Sequence, residues 1–185
     1  MARALLIIDI QNDYFPGGAF PLVEPDAAAA NAARVLEAFR DGGEAIVHVQ
    51  HLSGPEDPFF VPGTPGVEIH ASVAPAEGEL VVQKKAPNSF LDTELEAELR
   101  ASGTDELVVA GMMSSMCVDA TVRAASDLGF TVQLVHDACA APNLEFGGEA
   151  IPGAAVHGAF MAALGSVYAT LVDAESLTDR QGTAT

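Results

Sequence analysis

The chain has 185 residues, enough for one domain with a proper core, and its apolar fraction of 49% excludes a disordered polymer. A net charge of −18 sets it against phosphate backbones and anionic membrane surfaces, so neither nucleic acid nor membrane is expected as a partner. A small anionic substrate stays open, because a pocket can differ in sign from the whole.

Leu5–Asp9 is a continuous apolar run ending in a carboxylate, as in a strand buried on both faces. The apolar stretch before Asp9 is too short for a signal peptide and lacks a small-residue cleavage site, so a cytoplasmic protein is expected. A carboxylate at the end of a buried strand is costly without partners, and Asp9 reads either as a turn residue or as a functional one. Asp26 to Arg40 patterns as a helix behind Pro25, with Asp26 as its N-cap and Gly42–Gly43 as its stop. Ala45–Val49 is a second strand. From Leu52 to Gly78 the chain is too rich in Pro and Gly for regular structure, and loops of that length serve as lids, interfaces or pocket walls. Phe59 and Phe60 in it either seal a pocket or anchor the loop. Leu80–Gln83 is a third strand, ending at Lys84–Lys85. A helix follows from Asp92 or Thr93, with Thr93 and Glu96 as a candidate capping box and Gly103 as its end. Leu107–Ala110 is strand four, Cys117–Gly129 a helix and Thr131–Val135 strand five. A Gly-containing loop to Ile151 comes next, then a helix Pro152–Leu164 stopped by Gly165, and strand six over Val167–Val172. One domain over 1–177 is expected, with 178–185 as a frayed tail.

This alternation of strands and helices, without repeat or linker, predicts an α/β fold with a parallel sheet covered on both faces. Ligands then bind beyond the carboxyl ends of the strands, at a switch point in strand order. Asp9, Lys84 and Cys117 all lie just past such ends. Cys117 opens a helix, where free N–H groups and the helix dipole lower a thiol pKa and make a nucleophile; taken alone it reads first as a small buried hydrophobe. Convergence of three reactive side chains from separate segments favours chemistry.

The familiar cofactor signatures are missing: no GxGxxG follows the first strand, and GxxxxGK[ST], HExxH, CxxC and GxSxG do not occur. Cys117 and Cys139 make neither a disulfide framework nor a zinc set, and Cys139 reads as core. His48, His51 and His70 have irregular spacing, which reads as structural rather than as a metal site. His136 and His157 read as structural or pocket-edge residues. No cofactor and no metal is expected.

Four ordered blocks, IIDIQND at 7–13, KKAPNSFLDTEL at 84–95, GMMSSMCVDATVRAASDLGF at 111–130 and HDACAA at 136–141, resemble the isochorismatase-like cysteine hydrolases. The resemblance covers roughly residues 3 to 175. It implies a three-layer α/β/α domain with a six-stranded parallel sheet in the order 3-2-1-4-5-6, and a catalytic triad of Asp9, Lys84 and Cys117. Lys85 is the rival of Lys84, and the spacing to Asn88-Ser89-Phe90 favours Lys84. With that order strand three lies roughly 9.6 Å from strand one, twice the ~4.8 Å strand spacing, a demanding reach for a lysine. The resemblance further implies a cis peptide at Met112–Met113 that aims the Met113 N–H, with that of Cys117, at an oxyanion. It also implies a homo-oligomer, dimer or tetramer.

The activity implied is hydrolysis of a C–N amide or carbamoyl bond of a small molecule through a thioester. Gln11, Phe15, Phe59 and Phe60, together with the segment Asn143 to Ile151, are the candidates for substrate binding. The isochorismate-cleaving members lack the cysteine, so Cys117 argues against that chemistry. Nicotinamidase is the alternative within the family, but the Asp-x-His element of its metal site is matched here by Val49-Gln50-His51, without the aspartate. An alternative of another class is a ligand-binding or redox-sensor protein with Cys117 as a sensing thiol.

Overall fold

The computed structural model describes residues 2–178. Its strands are β1 (Ala2–Ile8), β2 (Ala45–His51), β3 (Leu80–Lys84), β4 (Thr104–Met112), β5 (Thr131–Ala140), β6 (Leu144–Phe146), β7 (Glu149–Ile151) and β8 (Thr170–Val172). Six of these form one sheet in the order β3-β2-β1-β4-β5-β8, parallel throughout. That is the expected order, with β8 in the sixth place because β6 and β7 make a separate antiparallel hairpin inside what reads as a loop in the sequence. The helices are α1 (Pro25–Gly42), α2 (Leu95–Ala101), α3 (Cys117–Asp127), α4 (Gly153–Val167) and α5 (Ala174–Thr178).

The unbroken apolar run of β1 is explained by its central position. Leu5 and Ile7 face the layer of α1 and α5, packing with Val35, Leu36, Phe39 and Leu177. Leu6 and Ile8 face the other layer, with Leu95 and Leu99 of α2, Val118 and Val122 of α3, and Met161 and Leu164 of α4. A strand covered on both sides needs apolar residues at every position rather than at alternate ones. The register between β1 and β4 pairs Ile8 with Gly111, where a Cβ would lie 2.2 Å from the Ile8 carbonyl oxygen. Glycine is required there by close approach of two backbones at the switch point.

Some local readings are corrected. The α1 N-cap is Glu24, in the left-handed region at φ 50°, with Pro25 leading the helix. Asp26 therefore falls in the first turn, where its charge suits the helix dipole. The Thr93–Glu96 capping box does not form: Thr93 Oγ1 donates to the Ser89 carbonyl at 2.6 Å, and α2 begins only at Leu95. Gly165 lies inside α4, where a Cβ would stand 2.9 Å from Leu171 Cδ1, so it lets the helix approach β8 rather than ending it. Strand β4 outruns its predicted ends because β1 pairs with it from Thr104 to Gly111, and β5 runs past Val135 to pair Cys139 and Ala140 with Gly111 and Met112 of β4. Thr178 closes α5 and is not part of a tail, and the rest of the predicted tail lies outside the described residues. No helix among the described residues is long and apolar enough to cross a membrane.

Candidate active site

The carboxyl ends of β1, β3 and β4 deliver Asp9, Lys84 and Cys117 to one place. Asp9 follows β1 directly, at φ 49°, a left-handed conformation that aspartate tolerates better than most residues. Its N–H still reaches the Val49 carbonyl at 3.0 Å, so the residue is anchored to β2 while its side chain turns from strand geometry. Lys84 spans the gap from the third strand: its Nζ lies 2.7 Å from Asp9 Oδ2, and both side chains are fully buried. Lys85 is exposed, whereas Lys84 meets Asp9. The segment after Lys84 is fixed by Ser89, whose Oγ meets Thr121 Oγ1 at 2.8 Å and whose N–H donates to the same hydroxyl at 3.0 Å. That tie to α3 explains why Asn88-Ser89-Phe90 marks the lysine.

The Lys84 ammonium also lies 2.9 Å from His51 Nδ1 and donates to the Ala86 carbonyl at 3.0 Å. Its contact with Asp9 is a charge pairing outside good hydrogen-bond direction, because among the described residues neither Asp9 oxygen has a hydrogen-bond partner. The carboxylate is thus held beside a cation while its acceptor capacity is unspent.

Cys117 is the first residue of α3 and only 4% exposed. Its Sγ, an Asp9 oxygen and a His51 ring nitrogen all lie within 4.8 Å of one another. The expected low thiol pKa is not what this environment produces. Burial pushes the Cys117 thiol up, the Asp9 charge pushes the same way, and the Lys84 ammonium opposes both without winning. The resting group is a thiol whose proton needs an acceptor, and Asp9 is the free acceptor beside it.

The turn before Cys117 contains the cis peptide Met112–Met113. Ser114 secures this turn: its N–H donates to the Ala140 carbonyl at 2.8 Å, its Oγ–H to the same carbonyl at 3.1 Å, and its Oγ lies 2.8 Å from His157 Nδ1. Among the described residues the Met113 and Cys117 N–H groups have no backbone acceptor. Two donors next to the thiol are therefore unspent.

The predicted substrate contacts divide. Gln11 is fully buried and its amide is taken up by backbone: Oε1 accepts from the His51 N–H at 2.8 Å, and Nε2 donates to His51 O at 3.0 Å and Val67 O at 2.7 Å. It braces the site rather than lining it. Phe60 is also fully buried, its N–H on Asp13 Oδ2 at 2.7 Å and its ring 4.6 Å from that of Tyr14, so it anchors the loop. Phe15, stacked at 3.8 Å on His70, and Phe59 line a cleft of about 620 Å³. Asp9, Lys84 and Cys117 do not line that cleft; unspent donors and acceptors, rather than the opening, mark the candidate site. Two neighbours escaped the sequence reading. Tyr14 is 1% exposed, with its hydroxyl pKa raised by burial and then by Cys117 and Asp9. His51 lay two residues past the expected end of the second strand and read as structural, and nothing in its spacing pointed to Lys84.

A resident metal does not fit these residues. Asp9, His51 and Cys117 have a metal-like spacing, but the Lys84 ammonium already stands 2.7 Å from Asp9 and 2.9 Å from His51, and a second cation would meet like charge. Val49, two residues before His51, is 1% exposed in the apolar core and offers no ligand.

The family model of the Isochorismatase domain matches residues 3–165. YddQ of Bacillus subtilis, an isochorismatase family protein, is 52% identical over 95% of this chain and 98% of its own length. A streptothricin hydrolase of Streptomyces noursei is 40% identical over 74% of this chain and 49% of its own. The crystal structure of a protein of Oleispira antarctica described as an isochorismatase hydrolase superposes with a TM-score of 0.92, at 48% identity, covering 96% of each chain.

Proposed function

The chain belongs to the isochorismatase family of hydrolases, and from that premise we propose that it cleaves a non-peptide C–N bond of a small amide or carbamoyl compound through a thioester at Cys117. The observation that carries the reading is the unspent Asp9 carboxylate, paired in charge with Lys84 and set beside a thiol that holds its proton.

In this reading Asp9 takes the Cys117 proton as Sγ attacks the carbonyl carbon, so the thiolate forms in the attack and is not stored beforehand. The carbonyl electrons move to oxygen, which accepts hydrogen bonds from the Met113 and Cys117 N–H groups. Collapse of the tetrahedral adduct breaks the C–N bond, and Asp9 returns its proton to the departing nitrogen. Water, deprotonated by Asp9, then attacks the thioester and releases the acid and the thiol. Lys84 remains the charge partner of Asp9 between steps.

The raised thiol pKa and low exposure of Cys117 speak against the sensor alternative, which needs an accessible thiolate. The lack of a ligand at Val49 and the engagement of His51 with Lys84 speak against a metal-dependent nicotinamidase. The test is incubation with a library of primary amides and N-carbamoyl compounds, reading ammonia release and the mass of the Cys117 peptide after acid quench. An acyl adduct on Cys117 with a hydrolysed substrate is expected. Hydrolysis that survives Cys117→Ala would overturn the reading.

A further inference from the structure

His51 closes β2 and pairs in register with Lys84 on β3. Its backbone is clamped on both sides by the buried Gln11 amide, which takes the His51 N–H at 2.8 Å and gives a hydrogen to the His51 carbonyl at 3.0 Å. The ring is therefore set by an element that comes from beyond β1, not by β2 alone. Its Nδ1 lies 2.9 Å from Lys84 Nζ. An ammonium only donates, so Nδ1 must present its lone pair, and the imidazole is neutral with its proton on Nε2. Burial, and next the Lys84 charge, favour the same neutral form.

The consequence concerns Asp9. Lys84 spends one donor on the Ala86 carbonyl and one on His51. What remains faces Asp9 Oδ2 at 2.7 Å, outside good hydrogen-bond direction. Take the imidazole away, and the ammonium is released to turn onto the carboxylate in a directed, charge-assisted bond, the strongest arrangement available to it. Asp9 would then be a weaker proton acceptor.

We propose that His51 is a positioning residue: by taking one donor of the Lys84 ammonium it leaves Asp9 beside the cation yet free to accept the Cys117 proton. This rests on the reading of Cys117 as nucleophile and Asp9 as its base. It gives the histidine a role in a site where its residues do not fit a metal.

The readout is chosen so that no substrate is needed. The rate of Cys117 alkylation by iodoacetamide at about pH 7.5, followed by peptide mass mapping that separates Cys117 from Cys139, is measured for wild type, His51→Leu and His51→Asn. Asparagine carries Oδ1 on the same Cγ that bears the histidine Nδ1, so it keeps the acceptor. The expected result is a loss of about tenfold in His51→Leu and recovery to within about threefold in His51→Asn, on the scale of a small misplacement in a reactive pair. Where an amide substrate is in hand, the loss is expected in kcat with KM little changed. ¹⁵N spectra of the wild-type imidazole are expected to show the neutral Nε2–H tautomer at neutral pH, and they test the arrangement even if a variant fails to fold. Equal alkylation in wild type and His51→Leu, or a wild-type proton on Nδ1, overturns the inference. Histidine-dependent alkylation without hydrolysis of any amide would instead overturn the proposed function and leave the positioning role standing.

Discussion

Strands β2 and β3 carry a cluster of ionisable groups at each end of the sheet, and the two differ in how completely they are satisfied. At the amino end, Glu79 accepts from Arg40 Nε at 2.7 Å and Nη2 at 2.9 Å, from His48 Nε2 at 2.8 Å and from the Ala76 N–H at 2.8 Å. At the carboxyl end, Asp9 has one charge partner and no hydrogen bond among the described residues. A half-buried carboxylate with four donors is structural, since its lone pairs are committed and its proton affinity is low. One with a cation and no directed donor keeps the capacity to take a proton. The proposed chemistry sits where the polar accounting is left open.

That contrast is broken most severely at the thiol. Cys117→Ala is expected to lower amide turnover by ~10⁴-fold or more with an unchanged circular-dichroism spectrum, because the nucleophile is removed and the packing barely altered. Asp9→Asn keeps the shape but removes both the base and the charge beside Lys84. A loss of about 10³-fold in kcat is expected, with stability lowered by about 3 kcal/mol in urea denaturation because the lysine is left buried and unpaired. A folded, active Asp9→Asn protein would place the base elsewhere. Ser114→Ala removes a hydroxyl that ties the Met113 turn to the Ala140 carbonyl and to His157. Its kcat is expected to fall about three- to tenfold, read in steady-state kinetics, since the backbone bond from the Ser114 N–H remains.

Glu79→Gln gives the converse result, with stability lowered and turnover unchanged. The bidentate Arg40 contact, ahead of smaller contributions from Ala76 and His48, holds the Glu79 carboxyl down at about 2, against 4.5 for the free group. A depressed pKa contributes stability above the unfolded value and loses it as pH falls toward the folded one. The stability gap between wild type and Glu79→Gln is therefore expected to be full above pH 4.5 and to close as pH approaches 2. Urea midpoints at several pH values check it, and a gap that widens in acid would assign Glu79 another role.

Much of the fold was legible because it follows from local pattern. The apolar run of Leu5–Ile8 announces a strand covered on both faces, and alternation of such runs with amphipathic helices leaves a parallel sheet as the economical solution. The misreadings are places where a contact that the local pattern does not show overrides a local preference. Thr93 looks like a cap until the Ser89 carbonyl takes its hydroxyl. Gly165 looks like a helix stop until Leu171 is seen to need its space.

The same division runs through the site. Sequence by itself determined which three reactive side chains follow strand ends, and the resemblance of four blocks supplied their roles and the cis turn. It could not determine the charge state of Cys117, which was read as a lowered pKa from the helix start. Only the tertiary structure decides that, because burial and the Asp9 charge come from β1 and the surrounding core and outweigh the local effect. It could not show that Gln11 is spent on His51, or that His51 faces Lys84, since those contacts span |i−j| of 40 and 33 along the chain. A residue type tells what a group can donate or accept. Which donors are already taken is settled only when the strands are side by side.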